Sequence, residues 1–269
     1  MTRPSGPSAT QAADTATAPP AAPPGAPVAS AADTARRAAA LGVVLAATLL
    51  LALAPRLLHP LLPELIASDA ALDLRVRHQL LTLPLALLVL LAVRAWVPAG
   101  VRFFRIGRLD APVTPVRAIG LTPGPTESWR QVGRNFAVVV TAVTAIVVGL
   151  QLLPGADVDV ARAARMLPWI VLLAASNAFV EETITRFGVV ATLIDRVGPN
   201  AAYLASGAVF GIAHYVGVPG GPVGVLVAGF LGWLLAKSVG ETGGLGWAWF
   251  LHALQDVVIF TAIFAAGVA

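Results

Sequence analysis

The sequence predicts an all-α protein, a polytopic membrane bundle of about seven transmembrane helices. Three observations predict it. The 269 residues are 57% hydrophobic and 12% charged, with a mean hydropathy of +0.81, whereas soluble domains carry roughly 25% charged residues. Several apolar runs reach the roughly 20 residues that cross a bilayer. The arginines collect in the connections between those runs, a pattern that reports topology rather than nucleic-acid binding. There is no cysteine, which excludes disulfides, thiolate metal sites and cysteine nucleophiles.

Residues 1–35 are rich in Ala, Pro, Thr and Ser, too poor in large apolar side chains to fold alone, and are expected to form a disordered cytoplasmic tail. They do not read as a signal peptide, because the first apolar run starts only after Arg36-Arg37. Span one is expected at about 38–57. The loop 58–77, with charges and Pro60 and Pro63, has room for a short interfacial helix. Span two, about 78–97, tolerates Pro84 where neighbours satisfy the freed carbonyl.

The next connection carries Arg94, Arg102, Arg105, Arg108, Arg117, Arg130 and Arg134, so the positive-inside rule places it in the cytoplasm. Within it, 126–130 reads as the capped start of an interfacial helix with Thr126 as N-cap. Span three is expected at about 135–153, span four at 166–193 and span five at 201–218. A short Gly/Pro turn then makes span six, 223–237, antiparallel to span five. Span seven follows Gly243-Gly244, with Trp247 and Trp249 as interface anchors. Seven spans are counted; six or eight also fit. The expected organisation is a tail (1–35), two accessory helices with the basic connection (36–134), and a membrane-embedded core (135–269).

Span four contains Glu181, Glu182 and Arg186 within six residues. A charge at bilayer depth costs roughly 2.5–3.5 kcal/mol even on lenient scales, and intramembrane ionisable groups are read as functional by default. Glu182 and Arg186 are four apart and share a helix face; Glu181 points about 100° away from Glu182. Spans five and seven add His214, then His252 and Asp256. Counted from the cytoplasmic ends, these groups lie about 12–20 Å deep, in one slab of the membrane. Phe210 shares a face with His214, and His252 with Asp256.

One Glu, two His and an Asp suffice for acyl-bond hydrolysis. A carboxylate in an apolar wall can act as a base near neutrality. One histidine can orient the attacking water, and a second can donate to a developing oxyanion. The same groups could ligate zinc, although the H-E-x-x-H signature is absent, or relay protons in a transporter. The transporter reading is disfavoured because the polar groups are expected only in the C-terminal half.

Glu181-Glu182-x-x-x-Arg186, Phe210-x-x-x-His214 and His252-x-x-x-Asp256, in that order on apolar spans, resemble the three motifs of the CPBP family, the CAAX prenyl-protease and bacteriocin-processing (Abi) intramembrane endopeptidases. The resemblance covers about 166–260. It implies a metal-independent glutamic protease in which Glu181 is similar to the catalytic glutamate and His214 to its water-activating partner. His252 and Asp256 would form the oxyanion-binding pair, and Glu182 and Arg186 the supporting ion pair beside Phe210. Many members carry Asn where Asp256 stands, and Arg-Gly where Phe187 separates Arg186 from Gly188. No cofactor is implied, with zinc as the alternative.

The expected partners are the lipid bilayer and a peptide or protein substrate, prenylated or leader-peptide-like, with no nucleic acid. The expected location is the plasma membrane, with a cytoplasmic N-terminus and a cavity open to the cytoplasm. The competing reading from another class is a non-catalytic adaptor or immunity protein.

Overall fold

The computed structural model describes residues 30–268; most of the expected tail lies outside the described residues. Helix α1 (Ala31–Leu57) begins within the stretch assigned to the tail. The Ser30 side chain caps α1 by accepting from Asp33 N. Asp69 caps α2 (Ala70–Trp96) in the same way, and α2 runs unbroken through Pro84. Residues 70–77 were expected in a loop and instead form the first two turns of α2. Their charge is consistent with this, because the buried Asp73 carboxylate accepts from the backbone of Leu65 and Ile66 and pairs with Arg77 at 2.6 Å. The only helix in the preceding loop is a 3-10 turn, His59–Leu61.

No separate interfacial helix precedes span three. Ser128, not Thr126, is the N-cap of α3 (Trp129–Leu152). Gln131 stands at the third helical position and accepts from Ser128 N, which completes a capping box that Thr126 cannot make. Trp129 is fully buried and donates to Glu241. A short α4 (Val160–Arg165) follows. Span four is one apolar rod in three parts: α5 (Leu167–Glu181), a π-helical segment (Glu182–Phe187) and α6 (Gly188–Val197).

Helix α7 (Pro199–Ala213) ends earlier than expected, and His214 caps it and opens a 3-10 turn, His214–Val216. α8 (Gly221–Thr242) and α9 (Gly246–Ala266) complete the chain. Among the described residues six helices are long and apolar enough to span a membrane. The shorter, equally apolar α7 is the seventh rod. Trp247 is buried and bonds Leu109 O, while Trp249 is 39% exposed and bonds Ala175 O.

Contacts fix which ends lie together. Arg37 bonds Thr192 O, Arg102 pairs with Asp195, and the connection after α2 bonds the α8–α9 junction through Arg108 N to Thr242 O and Leu245 N to Arg105 O. These make one basic end. At the opposite end Arg162 pairs with Asp69 at 2.9 Å, and Asp159 N bonds Ala265 O.

As expected, α7 and α8 pack antiparallel, and glycines let them touch. A Cβ on Gly211 would stand 2.6 Å from Val225 O, and one on Gly207 2.8 Å from Gly229 O. Both neighbours are backbone and cannot rotate away. Without a hydrophobic force between helices in lipid, such close approach is a main source of helix association. Gly211→Val should therefore destabilise the bundle by about 1–3 kcal/mol, read as a lower thermal midpoint in detergent, whereas Gly42→Ala, where no neighbour lies within 4 Å of the added carbon, should leave it unchanged.

Candidate active site

The seven side chains singled out in the sequence are joined by contacts into one cluster. At its base is Arg186, fully buried. Its Nη2 lies 3.1 Å from Glu182 Oε1, an ion pair by distance though poorly aligned as a hydrogen bond, and its Nη1 donates to Thr185 Oγ1 at 2.5 Å. The guanidinium sits 3.6 Å from the centre of the Phe210 ring, a cation–π contact that gains strength away from water. The pairing expected of residues four apart survives the wider π turn.

Glu182 is 1% exposed. Its Oε1 also accepts from His252 Nδ1 at 2.6 Å. That bond fixes the imidazole, whose Nε2 faces Glu181 Oε2 at 3.6 Å and Asp256 Oδ1 at 3.7 Å. Glu181, with its side chain 14% exposed, lines the cavity described next; Glu182 does not. The two adjacent glutamates therefore point apart, as helix rotation requires.

His214 stands at the C-cap of α7, and its Nδ1 is 3.1 Å from Phe210 O. A carbonyl can only accept, so Nδ1 carries the proton and Nε2 is left with its lone pair in the neutral ring. The Phe210 ring packs against both histidines, 4.2 Å from His214 and 5.5 Å from His252 between centroids. Phe187, the residue inserted after Arg186, is buried edge-on against Phe104, and Gly188 gives Val44 room to approach.

A cavity of about 310 Å³ opens above this cluster, within the size range of ligand sites. Glu181, Phe210, His214, His252 and Asp256 line it. So do residues that the sequence reading left out. Asn177, one turn before Glu181, donates through Nδ2 to Glu181 Oε1 at 2.9 Å and to Asp256 Oδ2 at 3.1 Å. Only the amide nitrogen can serve two carboxylates, so its Oδ1 must point the other way, where Gln79 Nε2 of α2 donates to it at 3.2 Å. Ser176 Oγ holds Gln79 Oε1 in turn at 2.8 Å.

His59, Arg75 and His78 complete the wall, so all four histidines of the chain line one cavity. His59 Nε2 and His78 Nδ1 are 3.2 Å apart. Burial pushes the His59 imidazole below its ordinary pKa, and the nearby Arg77 and Arg75 push the same way. The polar groups are thus not confined to the C-terminal half, which corrects the expectation used against a transporter. The signal for Asn177 was its i−4 spacing from Glu181; Gln79 had none, because its partner is 98 residues away.

Among the described residues no three His, Asp or Glu side chains converge as a metal's donor set, and His252 Nδ1 is committed to Glu182.

The cavity also corrects an expected direction. Its lining takes the second half of α1 (Thr48, Leu51), the first half of α2 (Leu74, Arg75), and the part of α9 beyond His252. All of this lies on the side of Glu181 away from the basic end. A cytoplasmic basic connection and a cavity open to the cytoplasm therefore cannot both hold.

Residues 163–258 match the family described as type II CAAX prenyl endopeptidase Rce1-like. The matched segment is similar to that family and makes up less than half of the chain. It spans all three motifs, Glu181 to Asp256, and bears out the resemblance to the CAAX-protease group; α1 and α2 lie outside it. No curated protein and no solved structure matches the chain. Helix α2 supplies polar groups that the matched segment lacks.

Asn177→Leu should strand the Gln79 amide and leave Glu181 and Asp256 without their shared donor. A buried polar group left unpaired costs about 1–3 kcal/mol, so thermal unfolding in detergent should show a lower midpoint, and Gln79→Leu in the same background should cost less than it does alone.

Proposed function

We propose that the protein is an intramembrane endopeptidase in which Glu181 and His214 activate a water. The observation that carries this reading is the division of labour between two adjacent glutamates. Glu182 is buried and committed to Arg186 and His252, while Glu181 reaches the cavity wall that His214 and His252 share.

Water bound between Glu181 and the free Nε2 of His214 attacks the scissile carbonyl carbon, and its proton passes to Glu181. The tetrahedral oxyanion takes a hydrogen bond from Nε2 of His252 as the imidazolium, the form in which both ring nitrogens donate, with Nδ1 held by Glu182. Such preorganised donation is often the largest catalytic contribution. On collapse the C–N bond breaks and the proton on Glu181 goes to the leaving amine. Asp256 accepts from Asn177, so in this reading it positions its neighbours, whereas donation to the oxyanion would require the protonated acid. Glu182, Arg186 and Phe210 are positioning residues. The substrate is a peptide or protein segment at the membrane, and a prenylated C-terminus and a leader peptide are the two forms to assay.

Glu181→Gln keeps the hydrogen bond from Asn177 but removes the base. It should lower kcat at least about 100-fold with unchanged thermal unfolding, on whichever fluorogenic prenylated or leader-type peptide the wild type cleaves. Retained cleavage would remove Glu181 from the mechanism. Treatment with a strong chelator should leave activity unchanged, and elemental analysis of purified protein should find no stoichiometric zinc. Loss of activity together with one bound zinc per chain would replace this reading by a zinc-dependent one.

A further inference from the structure

The two ends of the bundle differ in charge. Residues 94–134 alone carry seven arginines, and Arg36, Arg37 and Arg196 lie at the same end. The opposite end holds Arg56, Arg75, Arg77, Arg162 and Arg165. Three of these five pair with local carboxylates: Arg77 with Asp73, Arg162 with Asp69 and Arg165 with Asp159. Basic residues in short loops stay cytoplasmic, so the richly basic end is the inner one.

Most of the cavity lies in the other half. From Glu181 it runs past Asn177 and Gln79 to Arg75 and His59, and the turn after α7, Val216 to Pro219, also lines it. The inner end has a recess of its own, lined by Phe104, Ile106, Phe179, Leu245 and Trp249. It reaches Glu182 but goes no further, because Glu182 and Arg186 are buried and plug the space beneath His252.

We propose that the cavity takes its peptide from the non-cytoplasmic face, so that the substrate is a chain segment emerging from the membrane on that face rather than a tail held at the cytoplasmic leaflet. The substrate part of this rests on the endopeptidase reading; the direction of access does not. A peptide bond reaching Glu181 must pass the wall formed by Gln79, Arg75 and His78. Residues Arg75 and Gln79 are one helical turn apart, as are Asn177 and Glu181, so Arg75 stands about 12 Å above Glu181 along the bundle. Roughly three to four extended residues cover that distance at about 3.3 Å each, so the segment must be unwound there.

The chain has no cysteine, so single cysteines report without background. Ser68→Cys lies in the exposed loop before α2, Leu74→Cys on the cavity wall and Ala118→Cys on the exposed basic connection. A membrane-impermeant maleimide applied to intact cells should label Ser68→Cys and Leu74→Cys, and should label Ala118→Cys only after permeabilisation. The reverse pattern would overturn the proposal. So would a labelled Ser68→Cys with a silent Leu74→Cys, since the cavity would then be closed to that face. None of these readings depends on cleavage, so a failed Glu181→Gln test leaves the direction standing, and inverted labelling leaves the chemistry standing.

Discussion

The bundle depends on how one buried cation is neutralised. Arg186 lies among apolar helices with no exposed surface, where an unpaired guanidinium would be strongly destabilising. Glu182 answers its charge and the Phe210 face covers its plane. Those two contacts draw the middle of span four against α7. The same Glu182 oxygen then reaches α9 through His252. Three rods that are distant in sequence are tied through the Glu182–Arg186 pair. Glu181, next along the chain, is left turned to the cavity and free to act.

Above that knot the polar groups form a ladder rather than a ring. Ser176, Gln79, Asn177 and then the carboxylates of Glu181 and Asp256 are linked by successive hydrogen bonds. One rung comes from α2. The first two helices are therefore part of the wall that sets the geometry of Glu181, and with the turn between them they supply two of the four histidines in the cavity. They lie outside the matched family segment, yet the site is not complete without them.

Much of this was legible in the sequence, for reasons that are local. Apolar length gave the rods, and i,i+4 spacing gave the Glu182–Arg186 pair. What escaped was set by contacts across the chain or by turn chemistry. Residues 70–77 looked like loop because their charged side chains are satisfied inside the protein: Asp73 is buried among backbone N–H groups and Arg77. Thr126 looked like a cap, but only Ser128 has Gln131 at the reciprocal position. The early end of α7 at Ala213 carried no apolar signal, since the next residues are equally hydrophobic. The side toward which the cavity opens needed the whole bundle.

The π-helical segment Glu182–Phe187 holds more residues per turn than an ordinary helix would. It takes up an extra residue between α5 and α6, and its neighbour Gly188 lets the rod pack on α1 and α2. Shortening the chain by one residue there would restore regular winding and leave α5 and α6 in line, but the side chains of that turn, Glu182 and Arg186 among them, would stand at other angles to His252 and Phe210. In this protein the number of residues between two halves of a rod is itself a determinant of the chemistry, as heritable as the identity of any of them.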